Sequence, residues 1–311
     1  MPRVLAKTDK ISREEWLELR KKSIGGSEAS TVCGLNPYSS LIELWADKTG
    51  RIPPKEDSEA MRIGRDLEEY VAKRFCEATG KKVRRRNAMF QHDKYDFITA
   101  NVDREIVGEN AGLECKTTSV MNKSDFEGGQ IPLNYLCQCR HYMNVMGYEK
   151  MYLAVLVMGR AFYWYEIPYD KSEGDTLLSM EIDFWEKHIK PDVRPEPDGS
   201  ESAGRVLKEV FSEQRANTIA MFEQAKTVDE LMAVKAQIKE LETREEELKQ
   251  RLILALDGND EGLTEKFSVT WREQTRNTVD TKELKKQMPE VYERFLKPSK
   301  SRVFKINERK N

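Results

Sequence analysis

Three polar side chains close together in the chain carry the first chemical signal. Glu114 and Lys116 flank Cys115, and Asp103 lies eleven residues upstream. Alternate residues of a β-strand share a face, so a strand here points Glu114 and Lys116 into one cavity and Cys115 into the core. Two carboxylates beside an ammonium group suit hydrolysis of a phosphodiester, which needs an activated water and help for the charge growing on phosphate oxygens. Divalent cations supply both. Mg²⁺ takes hard oxygen ligands in an octahedron and keeps several waters. Asp103 and Glu114 are suitable ligands, and the backbone carbonyl of Cys115 offers a third. Lys116 is placed to hold or deprotonate the attacking water and to stabilise negative charge near the phosphate.

An acid and a lysine also alternate on ordinary surface strands, so the pattern needs support from its surroundings. The strand begins after a polar hairpin and continues into Thr117-Thr118. A preceding helix carries Glu68 and Glu69, and a following helix carries Gln138; both can cover the strand ends.

The elements that must position these groups are legible. Residues 1–190 read as one α/β unit. A helix over 11–22 opens with Ser12 and Glu15 as a capping box. Ser27 is expected to cap a short helix that ends at Gly34, and Ser39 or Ser40 starts another through Asp47. A helix from about Glu59 to Thr79 buries Leu67, Val71, Ala72 and Phe75, and Gly80 stops it. Strands are expected over 82–89, 95–102, 112–118, 151–157 and 161–167, with a helix over 134–146. Prolines 191, 195 and 197 with Gly199 mark a linker over 191–201. A long helical region over 202–256 follows, a coiled-coil arm or a helical hairpin. Its residues Leu231, Val234, Ile238, Leu241, Leu248, Leu252 and Ala255 keep the alternating three–four spacing of a coiled coil, with Glu245 inside the seam. Residues 263–311 read as a small module: a strand at Phe267–Trp271, a helix capped by Asp280 through Phe295, and a closing strand at 303–306. Its Lys285, Lys286, Lys297, Lys300 and Arg302 could grip DNA, but the apolar residues of so small a core favour protein contact.

With 311 residues, 39% hydrophobic and 34% charged, the chain has enough apolar mass for a sizeable core. A formal net charge of −2 gives no overall signature of a duplex binder, although Lys81, Lys82 and Arg84–Arg86 make a local basic cluster. Five cysteines without a CxxC pair and three histidines argue against a zinc site. They fit reduced, buried thiols in an intracellular compartment. No secretory segment or long apolar run suggests a membrane.

Five motifs in order carry a resemblance. They are Arg20 with Ile24-Gly25-Gly26-Ser27-Glu28; Gly34 and Tyr38; Gly64-Arg65-Asp66-Leu67-Glu68; Asp103 with Glu114-Cys115-Lys116; and Pro132, Tyr135, Gln138 and His141-Tyr142. Over residues 15 to about 170 the chain resembles the YqaJ-like viral recombinase nucleases, within the PD-(D/E)xK superfamily that includes phage lambda exonuclease. The resemblance implies a restriction-endonuclease-like α/β core, a mixed central sheet flanked by helices. It implies a Mg²⁺-dependent exonuclease with two ions, Mn²⁺ substituting. The enzyme would act 5′ to 3′ on linear double-stranded DNA and leave 3′ single strands for an annealing protein. Asp103 and Glu114 would be metal ligands, Lys116 the catalytic lysine and Glu68 a neighbour of the metals. Gln138 would orient Lys116 or the phosphate. Arg20 and Ser27 would hold the terminal 5′-phosphate, and Tyr135 would lie against substrate. Where the family often has Pro-Asp-Gly, this chain has Val102-Asp103-Arg104, which puts Arg104 forward as a DNA contact. A homo-oligomer, possible as a ring, in the cytoplasm of a bacterium carrying a phage or prophage completes the expectation. The alternatives are an endonuclease or repair nuclease using the same acids, and a noncatalytic DNA-end or assembly module.

Overall fold

The computed structural model describes residues 2–213, 215, 217–298 and 302–307. The chain divides into two units, Met1–Glu213 and Gln214–Asn311.

The first unit begins with strand β1 (Arg3–Lys7) and helix α1 (Arg13–Lys21). The capping box forms as expected: Ser12 Oγ accepts from the Glu15 amide at 3.1 Å, and Glu15 accepts from the Ser12 amide at 2.8 Å. Helix α2 (Gly26–Val32) and helix α3 (Leu41–Lys48, capped by Ser40) follow. Helix α4 (Glu59–Thr79) runs from a Ser58 cap to Gly80, whose left-handed φ of 70° ends it. Then come β2 (Val83–Arg84), β3 (Ala88–Gln91), β4 (Thr99–Ala100), β5 (Arg104–Ile106) and β6 (Ala111–Thr118). Helix α5 (Leu133–Met146), β7 (Lys150–Val157), β8 (Ala161–Pro168), α6 (Lys171–Phe184) and α7 (Glu201–Val210) complete the unit.

Five strands form the central sheet in the order β2-β5-β6-β7-β8. The β6–β7 pair is parallel and the others are antiparallel, so the sheet is mixed. A parallel pair needs a crossover, and α5 supplies it. The two sheet faces separate cleanly. Leu113, Tyr152 and Ala154 pack with Val71, Ala72 and Phe75 of α4. Met151, Leu153 and Val155 pack with Cys139, Tyr142 and Met143 of α5. Leu153 is fully buried, and its truncation to alanine would cost about 2–5 kcal/mol. Helix α2 approaches α5 so closely that a Cβ on Gly26 would lie 2.4 Å from the Tyr142 ring; only glycine fits there.

Two expected strands are shorter and differently placed. The stretch expected as one strand over 82–89 is split between β2 of the central sheet and β3 of a separate β1-β3-β4 sheet. Asn87, with φ of 43°, turns the chain between them. Of the strand expected over 95–102, only Thr99–Ala100 pairs as β4. His92 Nδ1 accepts from the amides of Lys94 and Tyr95 and holds residues 92–95 in a turn.

The boundary after residue 190 also moves. Ala203 and Val206 of α7 are buried with Ile42 and Trp45 of α3, and Ser202 Oγ lies 3.2 Å from the Ser40 amide. The prolines at 191, 195 and 197 therefore sit inside the first unit. The helical region expected over 202–256 is two helices, interrupted after α7. Ser212, Asn217 and Thr218 in the interruption favour capped or turn conformations over helix.

The second unit contains helix α8 (Ala225–Leu256), the hairpin of β9 (Glu261–Leu263) and β10 (Ser268–Thr270), and helices α9 (Thr281–Gln287) and α10 (Pro289–Arg294). The single helix expected from Asp280 breaks because Pro289 lacks an amide donor and disfavours a helical Met288; Met288 has φ −134°. Described residues 302–307 form no strand, and Lys300 lies outside the described residues. Along α8, Val234, Ile238, Leu241, Leu248 and Leu252 are all exposed.

A buried ion pair ties α5 to α6. His141 Nδ1 donates to Glu181 at 2.6 Å and Nε2 donates to the Thr99 carbonyl at 2.7 Å. Both nitrogens donate, so the ring is an imidazolium. Burial works against that charge, but Glu181 outweighs burial and raises the His141 pKa above its ordinary 6.5. This contribution to stability is complete below pH 6.5 and is lost as pH rises through the raised folded value. Urea unfolding from pH 6 to 9 should show this loss in the wild type. The His141→Gln variant should be less stable at pH 6 and show a flatter profile.

Candidate active site

Glu114 stands at the middle of β6, paired in register with Leu153 of β7, and Lys116 stands two residues on, beside Val155. Both occupy the α5 face. Cys115 faces α4, where it packs against the buried cluster there. Asp103 lies just before β5, and its Oδ2 accepts from the Cys115 amide at 2.8 Å. That bond fastens the loop carboxylate to the central strand between Glu114 and Lys116. The Lys116 Nζ lies 2.7 Å from Glu114 Oε1 and 5.5 Å from the Tyr135 ring centroid. Gln138, on the first turns of α5, donates to the same Glu114 oxygen at 2.7 Å and contacts the Tyr142 hydroxyl at 3.0 Å. Gln138 therefore touches Glu114 rather than Lys116.

The electrostatics are those of crowded acids. Burial, then the neighbouring charges of Glu114 and Glu68, push the Asp103 carboxyl well above its ordinary range; the Cys115 amide and Lys116 oppose this only partly. Burial alone would lower the Lys116 pKa, but Glu114 and then Asp103 hold it above that of a free lysine. The second Glu114 oxygen, Oε2, is buried and has no hydrogen-bond partner. A lone buried carboxylate oxygen beside a second, raised carboxyl is a donor set for a hard cation. Among the described residues no three His, Cys, Asp or Glu side chains form a ready metal cage. The fit is thus to a cation held by two carboxylates, with its remaining positions open to water or phosphate.

Glu68 approaches this group from α4, but it is already engaged by Arg104 and, at 3.3 Å, by Arg85. Arg104 itself is only 2% exposed. Its guanidinium is divided between Glu68, Glu69 at 2.9 Å and the Asp103 carbonyl at 2.7 Å. Expected at the DNA surface, it instead braces the turn that presents Asp103. Arg85 is the solvent-facing member of this group.

Arg20 and Ser27 meet at a second location. The Arg20 guanidinium donates to Ser27 Oγ at 3.0 Å and to Glu28 at 2.7 Å, and lies 5.0 Å from the Trp16 ring centroid. The Ser27 hydroxyl caps nothing: Gly25 occupies the cap position of α2, and its amide donates to Glu28 at 2.9 Å. Both residues line a cleft of about 1160 Å³ that also includes Tyr38, Asp47 and Arg65. Asp103 and Glu114 are not among its walls. Tyr142 connects the two locations, with its hydroxyl on Gln138 and its ring against Gly26.

Sequence reasoning assigned no role to Glu28, Lys48 or Tyr142. The signal for Glu28 was its position three residues after Gly25, where an acid closes a capping box. Lys48 follows Leu44 and Trp45 on the buried side of α3, where a lysine is out of place without a partner. Tyr142 follows Gln138 by one helical turn and so shares its face.

The comparisons agree with this architecture. Residues 15–149 match the model of the YqaJ-like viral recombinase domain. The uncharacterized protein YqaJ of Bacillus subtilis (strain 168) is 42% identical over 310 residues, covering 98% of this chain and 97% of the relative. Among solved structures, the alkaline exonuclease of Laribacter hongkongensis superposes with a TM-score of 0.50 at 17% identity, covering 58% of this chain and 94% of that one. Its complex with dAMP superposes with the same TM-score at 16% identity and the same coverage. These two structures establish shared fold.

Burial and Glu114 make ionised Asp103 cost stability, and the cost builds as pH rises from the ordinary aspartate value of 3.8 and is complete at the raised folded value. In EDTA, Asp103→Asn should raise the melting temperature by about 2–5 °C at pH 8. The gain should be smaller at pH 5. A scan at both pH values checks the sign.

Proposed function

Because the chain belongs to the YqaJ-like viral recombinase family, we propose that it is a metal-dependent DNA exonuclease whose active site is Asp103, Glu114 and Lys116. The observation that carries this reading is the buried, unpartnered Glu114 Oε2 beside the raised carboxyl of Asp103. Mg²⁺ is the cation that suits two carboxylates and retained waters, with Mn²⁺ as substitute, in one or two sites. When bound, such ions supply Lewis acidity and a nucleophilic water.

The chain's own residues do the positioning. Gln138 fixes the rotamer of Glu114, and the Cys115 amide fixes Asp103. Lys116 carries its proton at neutral pH, so it acts as a cation beside the scissile phosphate, not as a base in its resting state. The water oxygen bonds to phosphorus in line with the departing ester oxygen, which leaves with a proton. Glu68 and Arg104 support the Asp103 turn. Backbone contacts carry position and little sequence information, so digestion is expected to ignore base identity.

Arg20 and Ser27 are the proposed contacts for a terminal 5′-phosphate, since an arginine beside a hydroxyl in an open cleft suits a dianion. That contact supports 5′ to 3′ digestion leaving a 3′ strand for an annealing partner. The exposed three–four seam of α8 supports self-association. No helix among the described residues is long and apolar enough to cross a membrane.

The test is a time course on end-labelled linear duplex in Mg²⁺ or EDTA. Wild type should release nucleotides from 5′ ends in Mg²⁺ only. Asp103→Ala should be inactive, and Lys116→Met should be slower by about hundredfold or more. Equal cutting of closed circular DNA would instead identify an endonuclease.

A further inference from the structure

We infer that Lys48 is a positioning residue for the terminal-phosphate contact: it acts through Glu28, neutralising the carboxylate that would otherwise claim Arg20. The inference rests on the reading of Arg20 and Ser27 as the 5′-phosphate contact.

Lys48 spends all three ammonium donors within this group. Its Nζ donates to Glu28 Oε1 and Oε2, each at 2.8 Å, and to the Arg20 carbonyl at 2.7 Å. Its side chain has no exposure, so it cannot touch DNA. Glu28 in turn binds the Arg20 guanidinium at 2.7 Å. The same lysine therefore meets both the Arg20 backbone and the acid paired with the Arg20 side chain.

Charge gives the arrangement its consequence. Burial alone would raise the Glu28 pKa, but Lys48 and Arg20 outweigh it and hold the carboxyl at about 2. Glu28 is therefore an anion whenever the enzyme works. Asp47 lines the same cleft. Within the group that Lys48 joins, Arg20 and Lys48 bring two positive charges against the two negative charges of Glu28 and Asp47, a sum of zero for these four; the other charged side chains of the cleft are the same with or without the lysine. Lys21, paired with Glu18 at 2.9 Å, acts on Asp47 with or without Lys48. Without Lys48 the sum becomes −1, and Arg20 faces an incoming dianion with its charge already claimed. In a half-buried cleft one unit charge at this range is a substantial penalty on phosphate binding. The buried lysine thus leaves the guanidinium available without making any contact of its own.

The experiment compares kcat/KM for linear duplexes with 5′-phosphate and 5′-hydroxyl ends. Wild type should prefer the phosphate. Lys48→Met keeps the apolar stem, and the preference should fall at least about tenfold, mainly through KM for phosphorylated ends. Glu28→Gln combined with Lys48→Met removes one charge of each sign and returns the sum to zero, so the preference should return to within about threefold of wild type. Glu28→Gln alone decides the matter even if Lys48→Met does not fold: it keeps the lysine and raises the sum to +1, so its preference should exceed that of the double variant by at least about tenfold, and equal preferences overturn the inference. A purely structural lysine would lower activity on both ends equally. That result, a Lys48→Met preference equal to wild type, or a double variant lacking the preference overturns the inference. A wild type indifferent to the 5′ group overturns the underlying reading, and the inference with it.

Discussion

Asp103 and Glu114 share a poorly solvated place, where burial and then the charge of Glu114 push the Asp103 carboxyl well above its ordinary range. Much of the first unit can be understood as the means of imposing that arrangement. Glu114 stands on a central strand paired in parallel with β7, and a pairing error of one residue would swing its side chain to the other face. Apolar neighbours make such a slip costly, because Leu113 and Leu153 are both fully buried, on opposite faces of the sheet. Asp103 is brought in from a loop and fastened by a backbone amide rather than by another charge. The resulting repulsion is relieved only in part by Lys116. What remains is a preorganised demand for positive charge at the place where a phosphate backbone and its cations would dock.

Arginines are used in two different ways around this centre. Arg104 is consumed by structure, since its donors go to Glu68, Glu69 and the Asp103 carbonyl. Arg20 lies in an open cleft, and its acidic partner is shared with a buried lysine. The difference follows from the number of carboxylates that each meets. A chain of net charge −2 must ration its cations locally to attract a polyanion, and pairing of this kind does so without a strongly basic surface.

The grouping of Glu114 and Lys116 was legible in the sequence because its geometry is local. Glu114 and Lys116 share a face by strand periodicity alone, and the signals at Ser12, at Ser39 or Ser40 and at Gly80 marked helix ends that the structure places at Ser12, Ser40 and Gly80. Long-range partners were harder. Nothing near Arg104 in sequence announces that α4 will bring Glu68 and Glu69 against it. The split of the 82–91 stretch depended on one left-handed residue, Asn87. The break within the helical region from 202 was not placed because α7 and α8 are both amphipathic and only tertiary contact distinguishes them: α7 buries Ala203 and Val206, while most of the α8 seam remains open. The mixed α/β core expected from the resemblance is the one observed. The compact unit ends at Glu213, past the expected linker.

The central claim is that the paired acids constitute a cation site. Calorimetric titration of Mn²⁺ into the protein, without DNA, tests it most directly against a Glu114→Gln variant that retains the side-chain shape. Saturable binding by the wild type, weakened at least about tenfold in the variant, is the result this account predicts. Equal binding by both proteins, or none by the wild type under conditions where it digests DNA, would contradict it.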